Sequence, residues 1–246
     1  MKISQLADPL IIAHRGFKKH YPENTISAFD AAIENRAVMI ELDVSLSKDR
    51  EVVVIHDDTL DRTTNGTGLV CDYTLAELKE LDAGSWFSKE FKNEKIPTLI
   101  EIFEKYVDKT TINIEIKPEA FEVDAQEDSI EKQIIKLLRE FNCFNSTIIS
   151  SFEKRIIHRI SQMPDKPLLA FLSEEPADSN VLAFIKDNDI FSWNPDYTVI
   201  TQEQISLMHE NGVKVFSFTV NDKATANRLL KMGVDGLFTD DIVSLM

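Results

Sequence analysis

Eight short apolar or alternating segments, separated by stretches with helical periodicity, restrict this chain more than any other feature of its sequence. Strands are expected at Leu10 to His14, Val38 to Leu46, Thr111 to Lys117, Thr147 to Ser151, Leu168 to Leu172, Ile190 to Trp193, Val213 to Val220 and Gly236 to Thr239. Helices are expected between them at Thr25 to Asn35, Leu99 to Val107, Ser129 to Phe141, Glu153 to Gln162, Ser179 to Asp187, Glu203 to Glu210 and Lys223 to Lys231. Thr201 with Gln204 fits a capping box, Pro97 precedes the Leu99 helix, and Asn221 and Asp222 offer N-cap side chains. Strands alternating with helices imply a parallel sheet. Eight such units in 246 residues favour an α/β TIM (β/α)8 barrel, taken as a single domain over 1–246.

One strand-like segment breaks the alternation. Glu51 to His56 follows the second strand too closely for a parallel crossover, so it is expected to return as the second arm of a hairpin. With the turn near Lys48 to Arg50, residues 47 and 51 are opposed and His56 comes level with Leu42. The following 57–96 stretch, with Asn65, Gly66, Gly68, Gly84 and a capping box at Thr74 and Glu77, reads as a small, partly ordered insertion over the C-terminal mouth of the barrel.

Composition removes several classes of function. The 42 acidic and 27 basic side chains leave a net charge of −15, and no basic stripe stands out, so a nucleic-acid partner is not expected. Hydrophobic residues at 43% are enough for a full core. Met1 to Pro9 lacks the apolar run of a signal peptide and no window reaches membrane-spanning length, so a cytoplasmic protein with no stable membrane anchor is expected. Cys71 and Cys143 lack the spacing of a zinc site and read as buried or idle thiols.

The chemistry lies on the strands. Glu41 and Asp43 share one face of the second strand while Ile40, Leu42 and Val44 share the other; Glu115 and Lys117 repeat the design against Ile112, Ile114 and Ile116. With the apolar faces under the outer helices, three carboxylates converge inside the barrel and call for a hard divalent cation. The alternative is that Lys117 supplies the counter-charge. His14 ends the first strand at the mouth, where Gly16 would let the backbone approach a ligand closely. His56 joins it through the hairpin, and two histidines can divide the roles of general acid and base. Arg15 and Lys117 suit a phosphate oxygen, unless both only neutralise the carboxylates. His20, His158 and His209 read as surface residues.

Taken together, Ala13-His14-Arg15-Gly16, Pro22-Glu23-Asn24-Thr25, Glu41-Leu42-Asp43-Val44, His56-Asp57, Glu115-Ile116-Lys117-Pro118 and Gly233-Val234-Asp235-Gly236 resemble the glycerophosphodiester phosphodiesterases, in order and spacing, from Ile11 to Asp240. The resemblance implies a TIM barrel that hydrolyses small-molecule glycerophosphodiesters to sn-glycerol 3-phosphate and an alcohol. It implies one divalent cation, magnesium or calcium, on Glu41, Asp43 and Glu115. By position, His14 and His56 would be the acid/base pair, Arg15 and Lys117 would hold the phosphate, and a cyclic phosphate would form and be opened by water. Phe218 stands where the family commonly has a pocket tryptophan, which bears on substrate fit; Ser151 and Phe152 match a family Ser-Phe pair. Competing expectations are a lysophospholipase D-like enzyme on the same fold, with Trp86, Phe87 and Phe91 as its apolar contact, and a non-catalytic binding module.

Overall fold

The computed structural model describes residues 2–7, 9–124 and 126–245, so the outermost residues of the 1–246 span lie outside it. Its strands are β1 (Leu10–Ala13), β2 (Met39–Leu46), β3 (Val52–Val54), β4 (Thr111–Ile116), β5 (Thr147–Ser151), β6 (Leu168–Ser173), β7 (Ser192–Pro195), β8 (Lys214–Ser217) and β9 (Gly236–Thr239). All except β3 run parallel, and β1 closes the ring by pairing with both β2, through Ile12 beside Met39, and β9, through Leu10 beside Gly236. This is a TIM barrel with one extra antiparallel strand.

Helices α1 (Ile26–Glu34), α2 (Leu75–Glu80), α3 (Leu99–Tyr106), α4 (Ile130–Glu140), α5 (Lys154–Ser161), α6 (Ser179–Asp187), α7 (Gln202–Glu210), α8 (Lys223–Met232) and α9 (Ile242–Leu245) complete the chain. Complete capping boxes start α2, α3 and α7 at Thr74, Thr98 and Thr201. Of the two residues expected to cap α8, only Asp222 does so.

Alternation decides what faces where. Ile40, Leu42 and Val44 of β2 and Ile112, Ile114 and Ile116 of β4 join Phe29, Leu99, Phe103, Ile134 and Leu138 of the helices in one buried outer layer. The opposite faces supply Ile12, Met39, Ile148, Ala170, Phe216 and Phe238, which fill the lower barrel. Each of these side chains larger than alanine contributes roughly 1.5–3 kcal/mol when fully buried. The polar residues of the same inner faces are thereby left at the upper end.

Three expectations change in detail. The strand expected at Ile190 to Trp193 lies at Ser192–Pro195, because Ile190 N–H donates to Ile185 O at 3.0 Å and finishes α6 instead. Val213 N–H likewise donates to Met208 O at 3.0 Å, ending α7 before β8 starts. Gly16 does allow a close approach, but to the protein itself: at φ +83°, an added Cβ would lie 2.7 Å from the Ala28 carbonyl carbon and Cβ. It docks the β1 loop closely on α1.

The hairpin keeps the expected register, with Val44 opposite Val54 and Leu46 opposite Val52, and Ile55 N–H donates to Asp43 O at 3.0 Å beyond the strand end. The insertion is more ordered than expected. Leu60, Val70, Leu78, Ala83 and Ile96 pack with Val53 and Ile55 into a separate apolar cluster.

Candidate active site

A cavity of about 730 Å³ opens at the C-terminal ends of the strands, lined by His14, Arg15, Glu41, His56, Glu115 and Lys117 among others. Phe152, Leu172, Phe218 and Phe238 line the remainder with other residues. Seven of the eight residues singled out in the sequence therefore line this space. The eighth, Asp43, is buried beside it in register with Glu115.

Glu41, Asp43 and Glu115 each place one carboxylate oxygen within 4.8 Å of the others. Their remaining oxygens are aimed by specific donors. Arg15 N–H donates to Glu41 Oε2 at 2.8 Å, Asn24 Nδ2 donates to Asp43 Oδ2 at 2.8 Å, and Lys117 Nζ donates to Glu115 Oε1 at 2.9 Å. Glu41 Oε1 and Asp43 Oδ1, both buried, have no hydrogen-bond partner. Two orphaned carboxyl oxygens close to a third carboxyl group fit a hard cation that takes oxygen ligands.

The electrostatics agree. Burial, then repulsion from Asp43 and Glu115, lifts the Glu41 carboxyl well above the carboxylate range. Burial and Asp43 push Glu115 up to about 7 against the pull of Lys117. Burial would raise Asp43 too, but Arg15, His56 and Lys117 hold it down. Arg15 and Lys117 alone thus compensate one carboxylate and leave two strained.

Lys117 Nζ also lies 3.2 Å from His56 Nε2 and 3.8 Å from Asp43 Oδ1. Arg15 pairs with Glu23 at 2.8 Å and approaches Asp43 at 3.3 Å. Both cations therefore neutralise carboxylates and line the cavity at once; the two expectations for them are compatible.

Each histidine has its own carboxylate. His14 Nδ1 lies 2.7 Å from Asp240 Oδ1, and His56 Nδ1 lies 2.6 Å from Asp57 Oδ1. Arg62 clamps Asp57 through Nε and Nη2 and reaches across to Glu23. Reasoning from spacing missed these partners. Glu23, Asn24 and Asp57 stood inside quoted motifs without a role; Asp240 lies 226 residues from His14 and carried no local signal.

Phe218 forms the apolar wall, edge-on to Phe152 at 5.8 Å. The other histidines are exposed as expected, although His158 pairs with Asn188 and His209 with Asp235. Asp235 also binds Lys214 and Val215 N–H at the N-terminal end of β8, where a barrel invests in stability. Both cysteines are free, Cys143 buried and Cys71 exposed. Trp86, Phe87 and Phe91 stack on one another and on Tyr21 instead of spreading into a patch. No helix among the described residues is long and apolar enough to cross a membrane.

The model of the glycerophosphoryl diester phosphodiesterase family matches residues 14–244. A glycerophosphodiester phosphodiesterase of Caldanaerobacter subterraneus subsp. tengcongensis is 43% identical over 242 residues, covering 96% of each chain. Among solved structures, an Oleispira antarctica phosphodiesterase in complex with the product sn-glycerol-3-phosphate superposes with a TM-score of 0.87 at 31% identity, over 97% of this chain and 95% of that one. A Thermotoga maritima glycerophosphodiester phosphodiesterase gives 0.77 at 26% identity, over 97% of both. A barrel whose mouth gathers three carboxylates, two cations and two carboxylate-bound histidines, matched along nearly its whole length, belongs to the glycerophosphoryl diester phosphodiesterase family.

Proposed function

We propose that this chain, as one barrel domain, hydrolyses glycerophosphodiesters such as glycerophosphocholine or glycerophosphoethanolamine to sn-glycerol 3-phosphate and an alcohol. One divalent cation, Mg2+ or Ca2+, would be held by Glu41, Asp43 and Glu115. The observation that carries the reading is the convergence of those carboxylates with two separately anchored histidines on a single cavity.

When bound, the cation supplies positive charge to the phosphoryl oxygens. The protein's own groups do the rest. Arg15 and Lys117 orient the phosphate from the polar side, and Phe218 confines the carbon skeleton opposite. With Nδ1 engaged, proton transfer falls to Nε2 of each imidazole, which in His56 lies 3.2 Å from Lys117 Nζ and is released as that lysine turns to the phosphate. One histidine takes the proton of the glycerol hydroxyl next to the phosphoester as its oxygen bonds to phosphorus. The other gives a proton to the departing alcohol oxygen as the P–O bond breaks, leaving a cyclic phosphate. Water then opens the ring with the two roles exchanged.

Glycerol 3-phosphate release, followed by a coupled assay with and without chelator, tests both activity and metal dependence. Full activity after exhaustive chelation would remove the cation from the mechanism. Glu115→Gln should weaken cation binding measured by calorimetry and not only slow turnover.

A further inference from the structure

Asp240 does more than sit beside His14. It leaves the end of β9, the last barrel strand, just where β1 exits, and the two are stitched by backbone bonds: His14 N–H to Thr239 O at 3.0 Å and Lys19 N–H to Asp240 O at 2.9 Å. Its second oxygen, Oδ2, accepts from Asn221 Nδ2 at 2.9 Å, on the loop after β8. The Asn221 amide has only one possible orientation. Its Oδ1 accepts from Asp240 N–H at 2.9 Å and from Thr239 Oγ1 at 3.2 Å, and a backbone N–H cannot act as an acceptor, so Nδ2 must point at the carboxylate. Lys18 stands 3.7 Å from Oδ1.

We propose that Asn221 and Asp240 form a positioning relay that keeps the proton of neutral His14 on Nδ1 and turns Nε2 toward the substrate. Asp240 is ionised, held well below the ordinary carboxylate range: burial opposes this, but His14, Lys18 and Asn221 outweigh it. An ionised carboxylate can only accept, which makes His14 Nδ1 the donor. Asn221 fixes which carboxylate oxygen faces the ring. Neither residue touches the reacting atoms.

The relay rests on the acid/base reading of His14, and its test separates the two. In Asp240→Asn, the retained Asn221 Nδ2 still demands an acceptor, so the new amide must turn its oxygen to Asn221 and its NH2 to His14. The imidazole proton is then driven to Nε2, the wrong nitrogen. Adding Asn221→Asp reverses this. The carboxylate at 221 accepts from the amide at 240, whose oxygen turns back to His14.

The experiment measures glycerol 3-phosphate release from glycerophosphocholine by the metal-loaded protein, and the His14 tautomer from 15N ring shifts. Asp240→Asn is expected to lower kcat about 10²-fold with KM within about threefold, and to move the ring proton to Nε2. The Asn221→Asp, Asp240→Asn pair is expected to restore the Nδ1–H tautomer and recover at least about tenfold in kcat. An unchanged tautomer in Asp240→Asn, or a double variant that recovers neither signal nor rate, overturns the relay. Should Asp240→Asn not fold, exposed Asn221→Ala is expected to lose about tenfold in kcat at unchanged KM, and a wild-type kcat overturns it. Near-wild-type turnover in His14→Ala instead overturns the acid/base reading, while the tautomer shifts still decide the relay.

Discussion

His14 and His56 present Nδ1 to a carboxylate at nearly equal distances, 2.7 and 2.6 Å, but the two regions that hold them are built differently. His14 belongs to the barrel. Its side chain is 14% exposed, and its partner comes from the adjacent strand end and is steadied by an amide and by backbone bonds. His56 belongs to the hairpin, its side chain 28% exposed, and its partner is its own chain neighbour. That partner is held by Arg62, which also grips Glu23, which in turn binds Arg15. The same local pairing thus rests on an amide and backbone bonds, with Lys18 at 3.7 Å, on one side and on a chain of close ion pairs on the other. Ion pairs are screened by salt and lost in acid, so the insertion side should be the more sensitive to solution conditions.

Removing the histidines is the strongest way to break the comparison. His14→Ala and His56→Ala should each lose roughly 10²-fold or more in turnover while circular dichroism stays native, since general acid/base groups typically supply that much. If one folded variant kept its rate, the two regions would not share a function.

The ion-pair chain offers the next largest effect. Burial would raise the Glu23 carboxyl, but the Arg62 hydrogen bonds and the charges of Arg15 and Lys18 lower it from 4.5 to about 2. A lowered carboxylate stabilises the fold fully above its unfolded value and loses that contribution as the pH falls from about 4.5 toward 2, on the order of 3 kcal/mol in all. Glu23→Gln should therefore flatten the dependence of urea-unfolding stability on pH in that window. An unchanged slope would show that the insertion is not held through this carboxylate.

Smaller effects sharpen the contrast. Asp57→Asn should cost about tenfold in kcat, less than Asp240→Asn, because much of the charge of Asp57 is already balanced by Arg62. Equal losses in steady-state assays would erase the distinction between the two anchors. Phe218→Trp enlarges the apolar wall of the cavity that both histidines line, and should shift KM by about threefold with little change in kcat. A change confined to kcat would place Phe218 closer to the reacting atoms than its position on the wall implies.

Legibility in the sequence followed the range of the interaction. The barrel, the hairpin register and the Glu41, Asp43 and Glu115 cluster rest on alternation along single strands, a local pattern, and all reappear in the structure. Asn221 reads as a helix cap because Asx residues before a helix usually cap it, yet its side chain ties down Asp240 while Asp222 caps α8. The contact of Gly16 with α1 has no signal in the sequence, because periodicity along the strands does not show that α1 passes within contact of its loop. Asp240 could not be paired with His14 from local pattern at all. Their meeting is a product of ring closure, and only the folded barrel brings the ends of its first and last strands together.

A chain made from its N-terminus presents His14 to the ribosome exit 226 residues before Asp240. Every carboxylate of the cluster, both cations and the second histidine with its partner are synthesised in between. Pairing between the first and last strands is also the kind of contact that forms slowly, because a long loop must close before any gain is returned. The first histidine is therefore oriented only once Asp240 has been made and the ring has closed. A nascent or half-assembled barrel carries the hydrolytic groups without their final alignment, so onset of turnover during refolding should report the arrival of the last strand and not the first collapse.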